Sequence, residues 1–435
     1  MEPFEDDGVF WLPNDPSRSV SGHVAFDGES ISLTVDGSLR HPGTTAEGEI
    51  EHRAPTWVIE PVVLGRLRTT GEVTLLNAGS FVFQSIFGDS NQETWTASIA
   101  LLGAAVPEPM FGSASFSFDV LVPWAKPPSL VDWDSPQTGK LDLAKRTLDE
   151  VVIGEASVRL TSSWYGSAGG DDLSVRRRCW IAVTDVPPLS VSDFLNEWVR
   201  PVQNLLIVLL GRPVRLIAFS VVSERVSEPG SISGEAKQLK VVLGDLLVAP
   251  SPEASWSNLR NWGAPTMFVR EELPISFGEL LRGWVSVQAR FGEAVTLLCS
   301  PFYAPFMYSE HRYASTFQSA ESLAQAKYVV RELPPSDHRA RVRSIVDAAQ
   351  VGDVLPEHVA WAERILMGRN DKPLKQLIEE LLADLGTLGR MVLEQDSTFA
   401  RTAAAARARV SHPGGAGGLS TAQRHWYGEA LSWLV

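Results

Sequence analysis

The sequence predicts an α+β protein, with a β-rich, sandwich-like N-terminal part that carries a few helices and an all-α bundle after it. Three observations predict this. Short runs of alternating apolar and polar residues fill the first third of the chain, the period of a half-buried strand. Gly and Pro punctuate those runs throughout. From about residue 305 the apolar spacing changes to the helical period and keeps it.

The elements follow in order. Val20, Val24 and Phe26 alternate with Ser21, His23 and Ala25; Asp27-Gly28 supplies a turn, and Ile31, Leu33 and Val35 alternate again, the signature of a hairpin. Further strand runs lie at 57–59, 73–76, 81–84, 112–121, 151–160 and 174–184. A helix is predicted over 192–210, capped by Ser192, striped by Phe194, Leu195, Trp198, Val202, Leu205 and Leu206, and ended by Gly211. Strands near 213–223 and 238–248 and a helix over 277–298 come next. The last part reads as helices over 310–332, 338–350, 356–368, 373–394, 398–411 and 420–434. Leu333-Pro334-Pro335 separates the first two, Pro356 opens the third, and Asp396 or Ser397 caps the fifth. The expected domains are 1–304, with a subdivision near 150–190, and 305–435, in line with a length that suggests about three folding units.

Composition narrows the function. A formal charge of -14 opposes the wrapping of long duplex nucleic acid, which needs broad positive surface, but leaves room for a local RNA site. Cys179 and Cys299 are the only cysteines and stand far apart, so neither a disulfide framework nor a zinc signature is expected, and a cytoplasmic location is. MEPFEDDG lacks the features of a signal peptide, and Leu205–Leu210, the longest apolar run, is far too short to span a membrane. No metal or other cofactor is expected: the histidines form no ligand cluster, and the Gly414–Gly418 stretch lacks the Lys-Ser/Thr of a phosphate loop.

One pair stands out. Arg407 and His412 are followed at once by Pro413-Gly414-Gly415, within residues 397–428, which hold no Asp or Glu. Five residues on an ideal helix turn the two side chains about 140° apart. Pro413 pushes His412 out of the α region, so the helix is expected to end there and let His412 swing towards Arg407. The chemistry that fits is metal-independent RNA cleavage. His412 takes the proton of a ribose 2′-hydroxyl, and Arg407 holds the attacked phosphate in a two-pronged grip. Arg401, Arg409 and Arg424 are the candidate RNA-binding residues, and Glu321 and Ser411 the candidate supports of the pair. The spacing alone is common by chance, and both residues can equally be solvated groups at a helix end.

The helix with Phe317 and Glu321, the loop Gly368-Arg369-Asn370-Asp371-Lys372-Pro373 and Arg407-x4-His412 together resemble the HEPN domain, in its ApeA-like branch. The opening resembles the N-terminal domain of ApeA-type proteins through Gly8-Val9-Phe10-Trp11-Leu12-Pro13, Gly22, Leu64-Gly65, Gly71-Glu72-Val73-Thr74-Leu75 and Leu195–Pro201. The resemblance implies an anti-phage defence effector that acts by abortive infection, with a β-rich sensor and a HEPN endoribonuclease. It also implies a homodimer or higher homo-oligomer through the HEPN part, an RNA substrate and a phage-encoded trigger. Ala408 stands where active members commonly carry a polar residue, often Asn, and the last helix is short. An alternative expectation is therefore a catalytically weak HEPN module that binds RNA, nucleotide or a phage protein. Restoring Asn at 408 separates the two by the gain in cleavage. A third is a β-sandwich ligand-binding protein that stacks sugars on Trp11, Trp57, Trp95 and Trp164.

Overall fold

The computed structural model describes residues 3–40, 56–82, 92–127, 131–135, 138–141, 145–169, 172–227, 236–244, 268–304, 307–328, 330–410 and 419–435. Its class is α+β, with strands as far as Leu243 and an all-helical region from Phe277 onwards. Contacts divide the chain into two compact units, Met1–Val285 and Ser286–Val435.

In the first unit, the expected sandwich-like layering takes another form. The strands β1 (Phe4–Leu12), β2 (Asp15–Phe26), β3 (Ile31–Asp36), β4 (Thr56–Leu67), β5 (Glu72–Val82) and β6 (Gln92–Ala97) pair antiparallel in the order β5-β4-β1-β2-β3-β6. β6 then pairs back onto β5 through Gly79↔Thr96 and Ser80↔Trp95, so the six strands close into a ring. Closure removes the exposed edges that an open sheet must protect. Inward residues of every strand fill the ring: Phe10, Val24, Phe26, Ile31, Leu33, Val35, Val63, Val73, Leu75 and Trp95 form one buried cluster. Trp95 is fully buried there, which removes it from any sugar-stacking groove.

Ser98 bends the chain between β6 and β7 (Ile99–Leu102), and its N–H donates to the Leu76 carbonyl. β7 lies on the first half of β5 and leads the sheet out of the ring through strands Ala236–Leu243, Leu216–Ser227, Ser113–Phe118, Asp172–Thr184, Ala156–Gly169 and Arg146–Ile153. The tight corner where β4 meets β1 depends on Gly65, where an added Cβ would sit 2.6 Å from the Phe10 ring. The buried Asp6 carboxylate secures the neighbouring turn by accepting hydrogen bonds from the N–H groups of Thr69 and Thr70.

A short helix, α1 (Leu121–Ala125), precedes the helical run from Val191 to Leu210, whose ends are α2 (Val191–Phe194) and α3 (Arg200–Leu210); the run matches the expected helix, with two differences. Ser190, and not Ser192, is the N-cap, in a reciprocal capping box with Asp193. The middle of the run, Leu195–Val199, winds as a π-helix.

The helical unit contains the end of α4 (Phe277–Tyr303), followed by α5 (Ser309–Lys327), α6 (Pro335–Val351), α7 (Pro356–Met367), α8 (Leu374–Asp384), α9 (Thr387–Gln395), α10 (Phe399–Val410) and α11 (Thr421–Leu434). The helix expected over 373–394 is in fact two, because Gly386 adopts φ 57°, a left-handed conformation that ends α8. The core joins α5, α8, α10 and α11 through Phe317, Leu323, Leu377, Leu381, Phe399, Ala403 and Leu431. Phe399 stacks on Tyr427, with centroids 5.1 Å apart, and the buried Tyr313 hydroxyl donates to the Ala403 carbonyl. Small residues on α10 make this close approach to α5 possible.

The loop Gly368–Pro373 closes the base of the α6–α7 hairpin. The Asn370 amide donates to the Leu333 carbonyl, its side-chain oxygen accepts from the Leu333 N–H, and its backbone carbonyl accepts from the Glu332 N–H. Each contact ties the start of the hairpin to its end.

Candidate functional site

The site starts at the N-terminus of α10. Asp396 accepts hydrogen bonds from the Thr398 N–H and hydroxyl, and the Phe399 N–H bonds back to the Asp396 carbonyl. The Tyr427 hydroxyl donates to the second Asp396 oxygen, tying α11 to the same cap. The Tyr427 and then the Thr398 hydroxyl hold the Asp396 carboxyl below the usual carboxylate range. Burial, and then this carboxylate, push the Tyr427 hydroxyl up to about 12. A depressed folded pKa means that the Asp396 contribution is full above its unfolded value of about 4 and is lost as pH falls through the folded value. In an acid titration followed by helical circular dichroism, Asp396→Asn is expected to flatten the loss of stability below about pH 4. An unchanged slope would place that acid sensitivity elsewhere.

At the other end of α10, the Arg407 guanidinium meets the Glu321 carboxylate of α5 at 3.4 Å, both side chains being partly exposed. Arg407 and Glu321, named separately in the sequence, are thus neighbours across two packed helices. Gln325 donates to the other Glu321 oxygen one turn further on. His412 and Ser411 lie outside the described residues, as do the side chains of Ala408 and Arg409. The expected unwinding at Pro413 lies there too.

Other basic residues of the acid-free stretch meet acids from outside it. Arg424 pairs with Glu310 of α5 at 2.7 Å and donates to the Leu419 carbonyl and the Thr421 hydroxyl. His425 lies 3.2 Å from Glu429, one turn along α11. Arg401 is exposed and close enough to Asp396 to help lower its pKa. The freedom from acid in the sequence is therefore not freedom from acid in space. Residues 286–435 carry sixteen Lys/Arg and sixteen Asp/Glu, so the whole charge of -14 falls on 1–285. A phosphodiester approaching the helical unit meets a locally balanced surface, not the acidic one the total charge suggests.

Sequence reasoning passed over Tyr308, His311 and Arg312 on and beside the first turn of α5. A run of aromatic residues, from Phe302 through Tyr303 and Tyr308 to Tyr313, was the available signal.

Among the described residues, no group of three His, Cys, Asp or Glu is placed to hold a metal ion. Among the same residues, no helix is long and apolar enough to cross a membrane.

The profile of the family described as ApeA N-terminal domain 1 matches residues 6–279. The chain belongs to that ApeA family. The match runs from within β1 to the first residues of α4, and so takes in Gly8, Gly22, Gly65 and Leu195–Pro201, the residues on which the ApeA resemblance of the opening rests. It supports an ApeA-like defence protein. Arg407, Glu321 and the rest of the candidate site lie beyond it. No curated protein and no solved structure matches the chain.

Proposed function

We propose that this ApeA-family protein is an anti-phage defence effector whose C-terminal region, 305–435, is a HEPN-type endoribonuclease controlled by the β-rich region, 1–304. The observation that carries the reading is the position of Arg407. It sits at the C-terminal end of α10, oriented by Glu321 of α5, five residues before His412.

The chemistry needs no metal. His412 removes the proton of a ribose 2′-hydroxyl. The 2′-oxygen attacks the adjacent phosphorus, the bond from phosphorus to the 5′-oxygen breaks, and that oxygen takes up a proton from solvent or a second histidine. The products are a 2′,3′-cyclic phosphate and a 5′-hydroxyl end. Arg407 donates to two phosphate oxygens and stabilises the charge that grows there. Glu321 limits the rotamers of Arg407, and both side chains of the pair are partly exposed to solvent. Two chains joined through their helical regions would bring two Arg–His pairs to one composite site, and a phage-encoded trigger would release the restraint imposed by the β-rich region.

The test is RNA integrity in cells that express the protein during phage infection, followed by incubation of RNA in EDTA with the protein purified from those infected cells. Fragments with cyclic phosphate ends in both settings are expected. Intact RNA in infected cells that are nonetheless protected would sink the nuclease reading.

A further inference from the structure

We propose that a cavity formed by the end of α4, the start of α5 and α11 binds one unpaired nucleotide of the RNA strand that Arg407 engages. The inference rests on the nuclease reading and adds a second contact point for the same substrate.

The cavity measures about 270 Å³. Its apolar walls include Leu298, Phe302 and Met307, and its polar lining includes Arg312, Arg424 and His425. The Arg312 guanidinium lies over the Phe302 ring, 5.4 Å from its centroid. Tyr308, between the lining residues Met307 and Ser309, is 78% exposed and meets His311 edge-on at 6.0 Å. A tyrosine ring left in water is available to stack on another flat group. Aromatic faces combined with cations are what hold unpaired bases and their phosphates without reading sequence. The volume falls just below the range of about 300–1,000 Å³ that takes drug-sized ligands, so a single base fits it better than a larger molecule.

Position supports the same occupant. Glu310, which holds Arg424, and Glu321, which holds Arg407, both lie on α5. They are eleven residues apart, which places them about 16 Å apart along the axis and within about 20° of one face. A strand lying along that face joins the cavity to Arg407 over a few nucleotides.

The experiment uses the full-length chain carrying His412→Ala, to silence cleavage, and a fluorescent single-stranded oligoribonucleotide of about ten nucleotides, within the span such surfaces cover. Adding Tyr308→Ala or Arg312→Ala is expected to weaken binding, read by anisotropy, by about five- to tenfold each, as loss of one base stack or cation contact does. The exposure of Tyr308 makes an unchanged melting temperature the expected control. In the chain with His412 intact, the same changes are expected to raise KM and leave kcat alone. RNA affinity that is unchanged in both variants overturns the proposal, assigns the cavity to another partner such as a peptide, and leaves the nuclease reading standing. A parent chain purified from infected cells that neither binds nor cleaves RNA overturns both.

Discussion

Replacing His412 by alanine is expected to lower RNA cleavage by about 10²–10⁴-fold, the usual contribution of a single general base. Replacing Arg407 by alanine is expected to cost about 10²–10³-fold, as the loss of a charge-stabilising donor does. Arg407→Lys is expected to recover only part of that, because an ammonium cannot offer the planar two-donor fork. Arg407 is half-exposed and its partner Glu321 is reachable by water, so truncation leaves no buried charge behind. The folded unit should survive both changes. The measurement is the initial rate on one RNA substrate in EDTA, beside a thermal melt of each variant. Equal cleavage by the doubly substituted and parent proteins would show that the reaction runs elsewhere on the chain.

Gly389→Ala is expected to be the most damaging small substitution in the helical unit. Gly389 is buried at the corner where α8 turns into α9, and a Cβ there would lie 1.9 Å from the Leu382 carbonyl oxygen. Real atoms do not approach so closely, and the obstacle is backbone, which cannot swing away as a side chain can. The corner must open, which pulls Leu381 and Leu382 out of register with Phe399 and Ala403 in the core. Forced overpacking of this kind costs about 3 kcal/mol. In a unit of this size that is a fall in melting temperature of about 6–12 °C. Alanine is otherwise the better helix former, so a variant as stable as the parent would refute the crossing itself. The β-rich unit should melt as before, which separates local damage from general misfolding.

Much of the fold was legible because it rests on short-range rules. Alternation marked β2, β3 and the Asp27-Gly28 turn, and helical spacing marked α6 and α7, with Pro356 opening the second of them. β6 escaped because Gln92–Ala97 is mostly polar and buries only Trp95 and Ala97. The split of 373–394 escaped because apolar spacing continues across Gly386, and only its backbone angle reveals the break. At the site, Arg407 drew attention through its spacing from His412 and its acid-free surroundings. Those surroundings misled in one respect, since Glu310 and Glu321 come from a helix about a hundred residues earlier to meet Arg424 and Arg407.

By itself, the sequence determined the two-part α+β character, the order of most elements, the ApeA-type opening and the Arg–His pair, because each is a local pattern of side chains along one segment. Only the tertiary structure decided that β6 closes on β5, that Glu321 grips Arg407, and that Arg312 lines a cavity with Arg424. These depend on which distant segments pack together, and helix spacing or strand alternation names the face a residue occupies but not the partner that will cover it.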